Sequence, residues 1–308
     1  MSTSHSLAVG GLRERFPERW KVYLFILPAL LAIVVMLWLP IIRGIYISFF
    51  EWPLRVGQGS WVGLDNYTNF IASDAFVASL RMTILMALMA IPQLIVGVVA
   101  ALAVYHTTRL KDLVSTTFLL PFVIPPVASG TILYYFLEPN FGPFFTVLTN
   151  WGLIDTLPYW RQETWPAILV VLGSLTWTYW PWVFIIILAR RQSVSDELYE
   201  SAKVYGANRL QMFRYITYPH LKGAILFVLI FRVVQNMLKT AQTWQLTRGG
   251  PGYDTSPLSV TLFDFAFTNQ QMGRAAAVGI LTVLVVIVAV LPLMWWFERT
   301  ASEQEGVA

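Results

Sequence analysis

Two groups of polar residues stand out against an apolar background. The first lies in the run AILFVLIFRVVQNMLKTAQTWQL, where Arg232, Gln235, Asn236, Lys239, Gln242 and Thr243 fall in one broad stripe of a 3.6-residue helix. Charge at membrane depth is costly unless it faces protein or water, so these residues are candidates for a path through the membrane. The alternative is a structural contact with another helix. No carboxylate lies inside any of the long apolar runs. The partners of Arg232 and Lys239 are therefore expected to be backbone carbonyls, water, a sister subunit or a substrate. The amides of Gln235, Asn236 and Gln242, with Trp244, suit the hydroxyls and apolar face of a sugar. Two cations suit an anionic substrate, such as a sugar or glycerol phosphate.

The second group is the stretch DELYESAKVYGANRLQMFRYITYPHLKG, residues 196–223. Ser195 is placed to cap a helix, and Asp196 and Glu197 put negative charge at its positive end. Leu198, Ala202 and Tyr205 follow at i, i+4 and i+7 as one apolar stripe. Gly206 supplies a residue free to take positive φ, Asn208 caps a second helix carrying Leu210, Phe213 and Ile216, and Pro219 is expected to end it. Two short amphipathic helices and a tight turn result. Glu197 and Glu200 are unfavourable beside anionic headgroups, so a soluble partner with a groove fits this hairpin better than a lipid surface.

Other chemistries find little support. There are no cysteines, so thiolate nucleophiles and Cys-held metals are excluded. His5, His106 and His220 lie in three different segments, and no metal site is expected from them. Asp254 and Asp264 are too far from the other acids to suggest the metal cluster of a membrane transferase. No GxxxxGK followed by Ser or Thr is present, so the chain has no phosphate loop of its own. A basic–aromatic platform for nucleic acid is also missing.

The elements that must hold these residues follow from composition. Of 308 residues 56% are hydrophobic and only 12% charged, about half the charge of a soluble domain; mean hydropathy is +0.61. Runs at 22–49, 79–105, 113–136, 165–189, 224–246 and 275–297 each reach the ~20 residues a bilayer-spanning helix needs. Since lipid cannot satisfy backbone polar groups, these are expected to be helices. Residues 258–267 are too few to cross and read as re-entrant or interfacial. The prolines of LPFVIPPVASG suggest a broken third span. Aromatics such as Trp52, Trp61, Tyr67, Phe141, Trp151, Tyr159 and Trp160 read as an interfacial belt. With the N-terminus inside, thirteen of the 21 Lys and Arg residues fall on inside segments and six on outside segments or the outer ends of spans. That bias places both termini and the hairpin in the cytoplasm.

The hairpin resembles the cytoplasmic "EAA" loop in the permease subunits of binding-protein-dependent ABC importers: Glu-Ala-Ala, a Gly, nine residues, then Ile-x-Leu-Pro. Glu200, Ser201 and Ala202 stand for Glu-Ala-Ala, Gly206 for the Gly, and Ile216 and Pro219 close the motif. Ser201 and Tyr218 depart from the pattern, as does Tyr205 where sugar permeases often have Asp. FILPALLAIVVMLWLPIIRGIYISFFEW, WVGLDNYTNFI and LTRGGPGYDTS are similar, in order and spacing, to segments of the maltose and glycerol-3-phosphate permeases, the first subunit especially. MLKTA replaces a Phe-x-x-Phe-Asp-like stretch of that family.

The resemblance implies an all-α, type I ABC importer permease with about six transmembrane helices in the cytoplasmic membrane. Residues 1–21 and 298–308 would be cytoplasmic, and 22–297 the permease domain with a coupling loop at 190–222. It implies that Glu197, Glu200, Ser201, Ala202, Gly206, Ile216 and Pro219 engage a partner. Those partners would be two cytoplasmic ATPase subunits that bind ATP and Mg, a second and different permease chain, and an external solute-binding protein. No cofactor is expected in this chain itself. An ion-coupled carrier is the competing class; it would favour internal repeats and an intramembrane carboxylate, and neither is evident.

Overall fold

The structure, a computed structural model, describes residues 18–105, 111–155 and 157–305. His5, Arg13, Arg15, His106 and Arg109, and with them most of the 1–21 segment, lie outside the described residues.

Among the described residues five helices are long and apolar enough to cross a bilayer, and a bent pair makes a sixth. They are α1 (Tyr23–Ile47), α3 (Asp74–Tyr105), α7 (Thr164–Gln192), α9 (Arg209–Met237) and α12 (Met272–Arg299). The bent pair is α4 (Lys111–Val123) and α5 (Pro126–Phe136), set at 90° to one another. Pro125 takes an extended φ/ψ of −54°/138°, and Pro126 opens the next helix. A residue before proline is pushed out of the helical region, so two successive prolines enforce this corner. Shorter helices are α2 (Asp65–Ile71), α6 (Pro143–Asn150), α8 (Asp196–Val204), α10 (Ala241–Thr247) and α11 (Leu258–Thr268).

Two helices form the spine. Gly97 of α3 lies so close to α7 that a Cβ there would stand 2.6 Å from the Val183 side chain. Around this contact Ala101, Val104, Phe184, Ile187, Leu221 and Val228 form one core. Toward the other end Met82, Met86, Ile168, Val171, Leu175 and Leu246 form a second. By contrast α1 has none of its apolar window covered by the rest of the chain.

The short helix α11 is buried against α3 and α12, with Ser79 and Thr261 hydroxyls 2.7 Å apart and Leu258 N–H donating to Thr83 Oγ1 at 2.9 Å. Two expectations are corrected by packing. Trp160 is a core residue rather than part of an aromatic belt, and its indole N–H donates to the Leu137 carbonyl at 2.6 Å. Pro219 does not end a helix. A wide π turn over Phe213–Thr217 shifts the hydrogen bonding just before it, so the second arm of the hairpin runs on as α9.

Candidate functional site

The hairpin is built by local rules. Ser195 Oγ accepts the Glu197 N–H at 3.2 Å and starts α8. Gly206 ends it at φ +81°. Asn208 and Gln211 then form a reciprocal capping box, at 2.8 and 2.9 Å, that starts α9. Glu197, Glu200 and Ser201 are exposed, whereas Ala202, Ile216 and Pro219 are half-buried where the two arms meet. Of the expected apolar stripes, Leu198, Tyr205, Leu210 and Phe213 are uncovered by the chain, Tyr205 being 88% exposed, and Val204 and Tyr215 on the same hairpin are also open. This rim of the hairpin thus exposes large apolar side chains together with the Glu197 and Glu200 carboxylates.

The second site lies in the last turns of the long apolar helix α9 and the break that follows it. Arg232 is buried, and its Nε donates to Gln93 Oε1 at 2.9 Å while a second guanidinium nitrogen donates to Asn236 Oδ1. Asn236 Nδ2 also donates to Gln93 Oε1 at 3.2 Å, and Gln93 Nε2 donates to the Leu175 carbonyl at 3.2 Å. The Tyr179 ring covers the guanidinium at 4.7 Å. Arg232 therefore finds partners inside its own chain. It is a pin between α3, α7 and α9.

The single stripe expected over residues 232–243 is interrupted. Helix α9 stops at Met237 and α10 begins at Ala241, with the freed Lys239 carbonyl accepting from Ser259 Oγ at 3.2 Å. Lys239 sits at this break, half-buried, with Nζ 3.5 Å from Gln235 Oε1 and 4.4 Å from the Tyr179 ring centroid. Across the break Gln242 Nε2 donates to Thr178 Oγ1 at 3.1 Å and reaches Ser129 Oγ at 3.5 Å. Tyr179 Oη, Gln242 Oε1 and Thr243 Oγ1 are buried without a hydrogen-bond partner. Trp244 packs edge-on against Phe263, with centroids 5.1 Å apart. Beyond α10 a recess of about 390 Å³ is lined by Tyr134, Tyr135, Arg161, Gln245 and Arg248. Arg161 there donates to Glu138 Oε2 and Tyr134 Oη, both at 2.6 Å.

Six sequence candidates thus divide into two sets. Arg232 and Asn236 join the buried pin, and Gln235, Lys239, Gln242 and Thr243 border the helix break. Gln93, Tyr179, Ser129 and Thr178 were not singled out from the sequence. Gln93 follows Pro92 in an otherwise apolar run, and that lone amide was the signal available for it.

Residues 93–302 match the model of a family described as "Binding-protein-dependent transport system inner membrane component". A probable ABC transporter permease protein of Sinorhizobium fredii is 30% identical, over 98% of this chain and 99% of its own length. A trehalose/maltose transport system permease protein of Thermococcus litoralis is 26% identical, over 89% of this chain and 92% of its own. Among solved structures, a chain of a bacterial ABC transporter involved in import of the acidic polysaccharide alginate superposes with a TM-score of 0.79 at 23% identity. That likeness covers 91% of this chain and 96% of the other, and it concerns the fold.

Proposed function

The chain belongs to the family of binding-protein-dependent transport system inner membrane components, and from that premise we propose that it is a permease subunit of an ATP-driven importer for a sugar or related polyol. The observation that carries the coupling part is the hairpin. Its caps and turn are fully specified, while its Tyr205 rim and its carboxylates are left uncovered. In this reading two ATPase subunits, which bind the ATP and Mg, grip two such hairpins and pull them together as nucleotide closes them. Glu200 meets a basic residue of the ATPase, and Gly206 keeps the turn compact.

The Lys and Arg bias supports a hairpin and both termini on the cytoplasmic side of the membrane. The uncovered α1 supports a second permease chain lying against it, and the family supports an external solute-binding protein. Purification of the tagged chain from its host should bring an ATPase with it, and ATP depletion should block uptake. Uptake that ignores ATP depletion and collapses with an ionophore would instead indicate an ion-coupled carrier.

For the substrate, support comes from the helix break. Next to the break, at the end of α10, lies the recess lined by Tyr134, Tyr135, Arg161, Gln245 and Arg248. Hydroxyl-rich, partly apolar rings match that lining. An anionic sugar is the second reading, favoured by Lys239, which no carboxylate pairs among the described residues. Because Arg232 is already engaged, Lys239 is the one of those two cations left to meet it, with Arg248 lining the recess nearby.

Lys239→Gln should cut uptake of the true substrate roughly tenfold, the scale of one charge-assisted hydrogen bond of about 1.5 kcal/mol. Basal ATP hydrolysis of the assembled complex should not change. Equal loss of both activities would assign Lys239 a structural role.

A further inference from the structure

Arg191, the penultimate residue of α7, is 3% exposed, yet among the described residues no carboxylate pairs with it. Its guanidinium carbon lies 3.7 Å from the ring centroid of Tyr105 and 4.2 Å from that of Tyr199. Tyr105 closes α3, and Tyr199 belongs to the first arm of the hairpin. The hydroxyls of the same two rings reach further. Tyr105 Oη donates to Asp196 Oδ1 at 2.7 Å, at the first residue of α8. Tyr199 Oη and Thr217 Oγ1 are 2.9 Å apart, which ties the first arm to the π turn of the second. One buried cation thus joins the ends of two spans to both arms of the hairpin.

We infer that Arg191, clasped between Tyr105 and Tyr199, is the joint through which movement of the hairpin reaches α3 and α7, a positioning residue for coupled transport. This inference rests on the hairpin being the ATPase-coupling element. A carboxylate would hold a guanidinium by directional, forked hydrogen bonds. A ring face holds it by an attraction spread over the face, which survives sliding and rotation in the plane. The clasp therefore resists separation of hairpin and spans while letting the hairpin tilt. The buried Nη1 has no hydrogen-bond partner, so tilting breaks no bond at that atom. Lysine cannot reproduce this arrangement, because a compact ammonium does not lie flat between two rings.

The chain has no cysteine, so a reporter introduced into it is that chain's one thiol, and labelling of this chain can be read in the complete complex with its ATPases. Val204→Cys reports whether an ATPase covers the hairpin, through protection from a maleimide. Gln245→Cys, in the recess beyond α10, reports the distant response when ATP and vanadate are added. With Arg191→Gln, and less completely with Arg191→Lys, the nucleotide effect at Gln245→Cys should fall roughly tenfold while Val204→Cys stays protected. A wild-type response at Gln245→Cys would overturn the inference. So would joint loss of hairpin protection, since Arg191 would then only shape the docking surface. If Arg191→Gln does not reach the membrane, Tyr199→Leu should lose the response and Tyr199→Phe, which keeps the ring, should retain most of it. Equal behaviour of that pair would likewise overturn the inference. Absence of protection at Val204→Cys with Arg191 intact would instead defeat the underlying hairpin reading.

Discussion

Gly206→Val is expected to lower uptake roughly fiftyfold or more and to strip the ATPase from the purified protein, while the chain itself remains in the membrane. Gly206 sits at φ +81°, and no heavy atom lies within 4 Å of where a Cβ would stand. The cost is therefore one of backbone conformation alone. A left-handed residue with a side chain costs about 1–2 kcal/mol, and a β-branched one more. About 3 kcal/mol would leave the native turn populated about a hundredfold less relative to its alternatives. Gly206→Asn should be mildest, because Asn tolerates this region, with Gly206→Ala between the two. Glu200→Ala should also weaken assembly, by removing an exposed charge rather than by disturbing the turn. The ratio of ATPase to permease after affinity purification, measured beside uptake, reads both effects. A valine variant that assembles and transports normally would remove the hairpin from the docking role.

Arg232→Ala is expected to destabilise the protein itself, by about 3 kcal/mol, and so to lower its yield and thermal midpoint in detergent. The loss combines charge-assisted bonds to Gln93 and Asn236 with the cover that Arg232 shares with the Tyr179 ring. Gln93 and Asn236 already bond to one another, so part of the cluster survives. Combining Arg232→Met with Gln93→Leu and Asn236→Leu should recover much of the stability, because an apolar cluster leaves no buried polar side chain unpaired at these positions. Thermal unfolding of the single and triple variants checks this. If Arg232→Ala were as stable as the wild type but inactive, Arg232 would belong to the path after all. Lys239→Gln, a few residues on, is expected to show the opposite pattern of intact stability and impaired uptake.

These contrasts mark where the sequence was informative. Spans were legible because bilayer thickness imposes a length on them, and the hairpin because Ser195, Gly206 and Asn208 act on their immediate neighbours. The corner after α4 was legible for the same reason, since Pro125 and Pro126 act on the adjacent backbone. Contacts distant in sequence were not. Gln93 lies 139 residues from Arg232, and nothing in either run names the other. The break at Leu238–Thr240 contains neither proline nor glycine, and Ser259, which satisfies its freed carbonyl, comes from another helix. Pro219 read as a stop because the π turn that accommodates it leaves no sequence signature. The rings that clasp Arg191 come from two separate helices, so only the fold brings them together.

In the proposed function the hairpin is held by an ATPase and carries its motion to the membrane. Tyr205 is the most direct place to test it, being highly exposed on the rim and aromatic already. A benzophenone-bearing residue at position 205 should crosslink, in membranes, to a nucleotide-binding subunit, with a yield that changes between ATP-bound and nucleotide-free conditions. Crosslinks to lipid or to the chain itself alone, unaffected by nucleotide, would remove the hairpin from the coupling role.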